Sequence, residues 1–167
     1  MSVATPGPQP GNYFVSHGGG MVGELIRHAT ESWAGHAGIM VGPNLIVEAA
    51  PPATRLMPAD THPDAIWNVN EKLTGAQRAA IVKRARALLG VPYDYGAYIG
   101  FALEVLHLRG AAQLADIFRS DHRRVCSADV ADAYSAAGID LTGGLKFPNL
   151  VSPADLYNRI AKQAGGK

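Results

Sequence analysis

Alternating and helical-period hydrophobic positions divide the chain into short strands in its first half and helices in its second. NYFVS at 12–16 is a run of strand formers, stopped by His17 and three glycines. Met21, Val22, Leu25, Ile26 and Ala29 then recur at helical spacing, with Glu24, Arg27 and Glu31 on other faces, so 21–32 is predicted to be an amphipathic helix. Two runs rich in Ile, Val and Met flank Gly42, Pro43 and Asn44, which predicts a β-hairpin within 33–51, ended by Pro51-Pro52. Residues 53–64 are expected to be loop with a short strand at TRLM, and AIWNV at 65–69 another strand. Thr74 followed by Gln77 is a capping-box pattern, opening a helix expected to reach Leu89 and stop at Gly90. LGVPYDYG at 89–96 is a turn. Tyr95 to Leu108 and AAQLADIF at 111–118 are expected to form a helical cap. Val130, Ala133, Tyr134 and Ala137 share a helical face closed by Gly138, IDL at 139–141 is expected to end a strand, and Ser152, Pro153 and Asp155 open a last helix. The fold class is α+β, a small antiparallel sheet packed against helices.

The hairpin carries the most informative polar residues. If residues 40 and 44 close its turn, Gly38 faces Ile46 and His36 faces Glu48. Directly opposed side chains have Cβ atoms about 4.5–5.5 Å apart, within reach of a carboxylate–imidazole hydrogen bond. A carboxylate holding one ring nitrogen leaves the other free to act as a base. Glu48 follows Leu-Ile-Val on a half-buried strand, where an ionised group needs a partner.

Length and composition fit one globular domain: 167 residues, 47% hydrophobic and 17% charged. Residues 1–10 form a flexible Pro/Gly tail, 11–160 the domain and 161–167 a frayed end. A net charge of +1 gives nucleic acid or an anionic membrane nothing to grip. No run is long and apolar enough to span a bilayer, and the N-terminus has neither the basic start nor the apolar run of a signal peptide, so a cytoplasmic location is expected. Gly18–Gly20 lack the Gly-Lys-Ser/Thr ending of a phosphate loop.

A single cysteine, Cys126, rules out an internal disulfide and leaves a thiol that is either buried filler or chemistry. At or near a helix N-terminus it feels the positive end of the dipole, which favours thiolate. Arg123 and Arg124 could add to this or form a solvated face. Cysteine nucleophiles need a base in hydrogen-bond reach and a third group to orient it, and the chain offers Cys126, His36 and Glu48. Backbone N–H groups at the helix start could hold an oxyanion, so this chemistry needs no cofactor and no metal. His17, His28, His62, His107 and His122 show no metal-ligand spacing, and structural or solvent-facing roles are expected for most of them. His122 is close to Cys126 in sequence but lacks an orienting partner.

HAGIMVGPNLIVEAAP, LGVPYDYG, and VCSADVADAY followed by GIDL resemble the motifs of the NlpC-type papain-like cysteine hydrolases. Their order, histidine hairpin before cysteine helix, is similar to the circularly permuted branch, the YiiX-like and lecithin retinol acyltransferase-like proteins. The resemblance spans roughly 11–157 and implies a permuted papain-like fold, with Cys126 as nucleophile, His36 as base and Glu48 as the polar third residue. Tyr93 matches a tyrosine beside the active site that assists the oxyanion; as a residue it reads equally well as a turn aromatic packed on the core. The chain departs from the pattern at Val125, where unpermuted members carry aspartate, at Ala128, where many permuted relatives have an acid, and at Gly11-Asn12, where relatives often have Gly-Asp. The implied activity is hydrolysis of a peptide or peptidoglycan-like amide. A lipid acyl hydrolase or acyltransferase, or a catalytically silent binding module, is the alternative. A peptidoglycan substrate would require delivery by a phage, a secretion system or lysis.

Overall fold

The computed structural model describes residues 7–93, 126–144 and 151–165, without the side chains of Met21 and Val22. The expected cap at 95–118, together with His107, His122, Arg123, Arg124 and Val125, lies outside them. The architecture is α+β. Five antiparallel strands, β1 (Tyr13–Ser16), β2 (His36–Gly42), β3 (Leu45–Ala50), β4 (Ala53–Pro58) and β5 (Ile66–Trp67), form one sheet in the order β4-β3-β2-β1-β5. The described helices are α1 (Gly20–Thr30), α2 (Gly75–Ala87), α3 (Cys126–Ser135) and α4 (Pro153–Gly165). Together they have the layout of a small papain-like fold.

Helix boundaries follow local chemistry. Thr74 Oγ1 accepts from the Gln77 N–H at 3.2 Å while Gln77 Oε1 accepts from the Thr74 N–H at 2.9 Å, the reciprocal capping box expected of this pair. Gly90 takes φ +81° just past the end of α2. Asp155 Oδ2 accepts from the Ser152 N–H at 2.8 Å and Ser152 Oγ accepts from the Asp155 N–H at 3.2 Å, which opens α4. Alternation then sorts the strands into two faces. Tyr13, Val15, Ala37, Ile39, Val41 and Val47 form a core with Ile81 and Ala85 of α2, Val130, Ala131 and Tyr134 of α3, and Leu156 and Ile160 of α4. The other face of β1–β3 carries Phe14, His36, Gly38, Met40, Ile46 and Glu48.

Three expectations are corrected. The hairpin pairs Ile39 with Val47 and Met40 with Ile46, so continuing that register sets Glu48 level with Gly38, two residues from His36. The cause is the turn: Gly42 pairs with Leu45 around Pro43 and Asn44, with Asn44 at φ 51° and a bulge between Met40 and Gly42. Residues 53–58 form a full edge strand in place of a loop with a brief extended segment. Ile139–Leu141 is not strand; Asp140 instead ties the chain into a turn, accepting from the N–H groups of Thr142 at 2.7 Å and Gly144 at 3.1 Å.

A buried polar network ties the start of β1 to the end of β5 and to α3. Asn12 Nδ2 donates to the Asn68 carbonyl at 3.0 Å, Asn68 Oδ1 accepts from the Tyr13 N–H at 2.7 Å, and Asn68 Nδ2 donates to Tyr134 Oη at 2.8 Å. Tyr134 Oη in turn donates to the Gly11 carbonyl at 2.8 Å. Asn12 thus has a structural task that an aspartate could not perform unchanged, because the bond to the Asn68 carbonyl requires a donor.

Gly38 admits the ring of Phe14 across the sheet. A Cβ at residue 38 would stand 2.6 Å from Phe14 Cε1 and 2.9 Å from the Val47 carbonyl oxygen. Gly38→Ala is therefore expected to lower stability by about 1–3 kcal/mol, the range for overpacking. A urea midpoint equal to that of the unchanged protein would show that the ring does not cross there.

Candidate active site

The site gathers on the Phe14 face, where β2 begins and β3 ends. His36 is the first residue of β2, and its Nε2 lies 2.8 Å from Glu48 Oε2. The contact is diagonal across the hairpin. A shift of two residues keeps both side chains on one face, whereas a shift of one would have parted them. Close backbone approach supports this corner: a Cβ on Gly35 would lie 2.4 Å from the His17 carbonyl oxygen. Gly18, at φ +69°, leaves only 3.0 Å between its own Cβ position and His36 Cβ.

Glu48 is 2% exposed and its carboxylate takes four contacts. Oε2 meets His36 Nε2 and, at 2.6 Å, His62 Nε2; Oε1 accepts from Arg55 Nε at 3.0 Å and Nη2 at 2.9 Å. Burial alone would raise the Glu48 pKa. The hydrogen bonds from His36, His62 and Arg55 and the charge of His36 outweigh it and hold the carboxyl far below its ordinary value.

His36 also shares a hydrogen bond with the side chain of Cys126. Burial is the largest single influence on the ring and favours its neutral form. The hydrogen bonds to Cys126 and Glu48, with the negative charge of both, together prevail and push the imidazole up to about 10. With Nε2 committed to Glu48, Nδ1 is the nitrogen left for the thiol. Cys126 is the first residue of α3 and is 1% exposed, packed with Ile26, Ala49, Tyr93 and Ala128. The helix is locked to the sheet by Thr54 Oγ1, which donates to Asp129 Oδ2 at 2.9 Å, and to α2 by the Arg84–Asp132 ion pair at 2.8 Å.

His36, Glu48, Cys126 and Tyr93 are thus brought into one neighbourhood. His36, Glu48 and Tyr93 line a cleft of about 240 Å³ together with Gly18, Arg55 and His62, and buried Cys126 packs against two of its lining residues, Ala49 and Tyr93. Tyr93 is buried, its N–H donating to the Pro52 carbonyl at 2.9 Å.

Arg55 and His62 are participants that the sequence reading did not find. Arg55 pairs directly with Glu48 across the β3–β4 hairpin, and the two are equidistant from Pro51-Pro52, a symmetry that was available in the sequence. His62 had no local signal. It follows the short 3-10 turn Ala59–Thr61, is pinned by its N–H to the Ala59 carbonyl at 3.2 Å, and its ring packs on Phe14 at 5.0 Å between centroids. Its expected structural or solvent-facing role gives way to a direct bond with Glu48.

No family model matches the chain, and no curated protein matches it. Among solved structures, the α+β layout has a counterpart. The crystal structure of metalloprotein YiiX from Escherichia coli O157:H7, a protein from a domain family of unknown function, superposes with a TM-score of 0.61 at 21% identity, over 96% of this chain and 84% of that one. The chain has a YiiX-like fold. Among the described residues no helix is long and apolar enough to cross a membrane.

The cluster fixes a pH window for stability. Because His36 is raised from 6.5 to about 10, its contribution is fully present below about pH 6.5 and is lost as pH climbs through about 10. Glu48 is depressed, so its contribution is present above its ordinary 4.5 and is lost on acidification. The difference in Tm between the protein and its His36→Asn variant is expected to be largest between pH 4.5 and 6.5 and to shrink on either side. A difference independent of pH would mean that neither group titrates as assigned.

Proposed function

We propose that the chain is a cysteine-dependent hydrolase acting on an amide bond, with Cys126 as nucleophile, His36 as base and Glu48 as orienting acid. The observation that carries this reading is the meeting of three side chains at one corner, with His36 Nε2 2.8 Å from Glu48 Oε2 and the same ring interacting with the Cys126 side chain. It is supported by the order of its parts, histidine hairpin before cysteine helix, which fits the circularly permuted branch of the NlpC-type hydrolases.

In this mechanism His36 Nδ1 takes the thiol proton and the sulfur attacks the carbonyl carbon. The backbone N–H of Cys126 faces the developing oxyanion, with Tyr93 as a second donor. Collapse of the tetrahedral intermediate breaks the C–N bond, and the leaving amine takes the proton from His36. Water, deprotonated by His36, then releases the acyl group and restores the thiol. Glu48 keeps Nε2–H donating throughout, so Nδ1 is the basic nitrogen. Peptide and peptidoglycan-like amides are the proposed substrates. YiiX is described as a metalloprotein, and two imidazole nitrogens and a carboxylate oxygen of this site, from His36, His62 and Glu48, lie within 4.8 Å of one another. That donor set fits a zinc-class ion, which would draw on the His36 Nε2 lone pair.

Trapping tests the reading. Incubation with peptide- and lipid-type acyl electrophiles is expected to add one acyl group per chain at Cys126 in intact-mass spectra, fastest with peptide-type probes. His36→Ala should slow labelling at least a hundredfold, within the range of about 10²–10⁴ for a general base. Glu48→Gln should slow it less than His36→Ala, because Glu48 orients and does not react. Labelling equally fast in folded His36→Ala would remove the base from the mechanism. Preference for the lipid-type probes would shift the assignment to acyl-lipid chemistry.

A further inference from the structure

We propose that His36, Glu48 and His62 form a seat for one divalent transition-metal ion of the zinc class, and that filling it silences Cys126. The second half rests on the hydrolase reading above. A nucleophile–base–acid chain uses one histidine on the carboxylate, yet Glu48 Oε2 is met by two, His36 Nε2 at 2.8 Å and His62 Nε2 at 2.6 Å. His62 has no part in proton transfer to Cys126, and its aim at the same oxygen is the feature the hydrolase leaves unexplained.

The ligand chemistry fits. Two imidazole nitrogens and one carboxylate oxygen lie within 4.8 Å of one another, the single such group of three among the described residues. Imidazole donors select zinc-class ions over magnesium and calcium, which prefer all-oxygen shells. Ligands of a tetrahedral zinc ion stand about 3.3 Å apart, given bond lengths of about 2.0–2.2 Å. The present separations from Oε2 need to open by less than about 1 Å to reach that. Outer contacts are already in place: Arg55 holds Oε1 with two N–H groups and leaves Oε2 for the ion, and Phe14 backs the His62 ring at 5.0 Å. The cleft in front of these side chains gives a fourth coordination position access to solvent.

Occupancy and catalysis use the same nitrogen. An ion on His36 Nε2 takes the lone pair there, so the one proton of the neutral ring sits on Nδ1. Nδ1 then has no lone pair with which to accept the Cys126 proton, and the thiol stays protonated. The site has two exclusive states, hydrogen-bonded and reactive, or metal-bound and silent.

The test uses full-length protein, freed of metal with chelator and titrated with zinc chloride in a calorimeter. We expect one ion per chain with Kd below 1 µM as an order of magnitude, and at least a tenfold weaker Kd in His62→Gln, which keeps an N–H donor for Glu48 but loses the ligand. His36→Gln should weaken binding likewise, giving a second variant should one of them misfold by circular dichroism. Cys126→Ala removes no ligand and should bind within threefold of the unchanged protein. In parallel, zinc should slow iodoacetamide labelling of Cys126 at least tenfold, with half-effect at the calorimetric Kd and reversal by chelator. No stoichiometric binding, equal binding by both ligand variants, or loss of binding in Cys126→Ala would overturn the seat. Binding that leaves labelling unchanged would overturn the silencing. Slow labelling in metal-free protein, unaltered by His36→Ala, would instead sink the hydrolase reading and leave the calorimetric result standing.

Discussion

The buried carboxylate of Glu48 is the interaction on which the site depends. Removing an ionised carboxyl from water costs several kcal/mol even after local relaxation, so its partners must be nearly complete. Here both oxygens are satisfied twice, by His36 and His62 on Oε2 and by two N–H groups of Arg55 on Oε1. Each partner comes from a different element, β2, β4 and the turn before β5. One charge therefore couples three chain segments, and loosening any of them leaves part of it unpaired.

This coupling explains why the corner around His36 is built from glycine. The carboxylate draws β2 and β3 together while Arg27 holds the His17 and Gly18 carbonyls of the loop before α1, and Gly35 and Gly38 stand where a Cβ would meet backbone oxygen or the Phe14 ring. Phe14 occupies the space over Gly38 and presents its ring to both histidines, 6.1 Å from His36 and 5.0 Å from His62. Small residues on one strand and an aromatic on its neighbour thus hold the imidazoles in place without adding a polar group that would need its own partner.

A second buried polar system, Asn12, Asn68 and Tyr134, is neutral and lies near the opposite end of α3 from Cys126. It fixes where the chain enters β1 and where it leaves β5 relative to the cysteine helix. The donor role of Asn12 toward the Asn68 carbonyl accounts for an amide at this position. With Thr54–Asp129 and Arg84–Asp132, it holds α3 against sheet and helix and so positions Cys126, far from His36 in sequence, beside the sheet.

What the sequence determined by itself was local: the alternating runs of β1–β3, the Thr74–Gln77 and Ser152–Asp155 caps, the Gly90 stop, and the two polar residues that share one face of the hairpin. These depend on interactions within a few residues, where propensity and hydrogen bonding leave little choice. The face survived an error in register because strand side chains repeat every two residues, and the bulge and the two-residue turn moved the pairing by an even number. The register itself, the edge strand carrying Arg55, and the arrival of His62 on the same oxygen were decided only by tertiary structure. The register follows from the bulge and the left-handed Asn44, which alternation of side chains does not reveal, whereas Arg55 and His62 meet a buried charge whose demand for partners is satisfied by segments brought together only as the sheet closes.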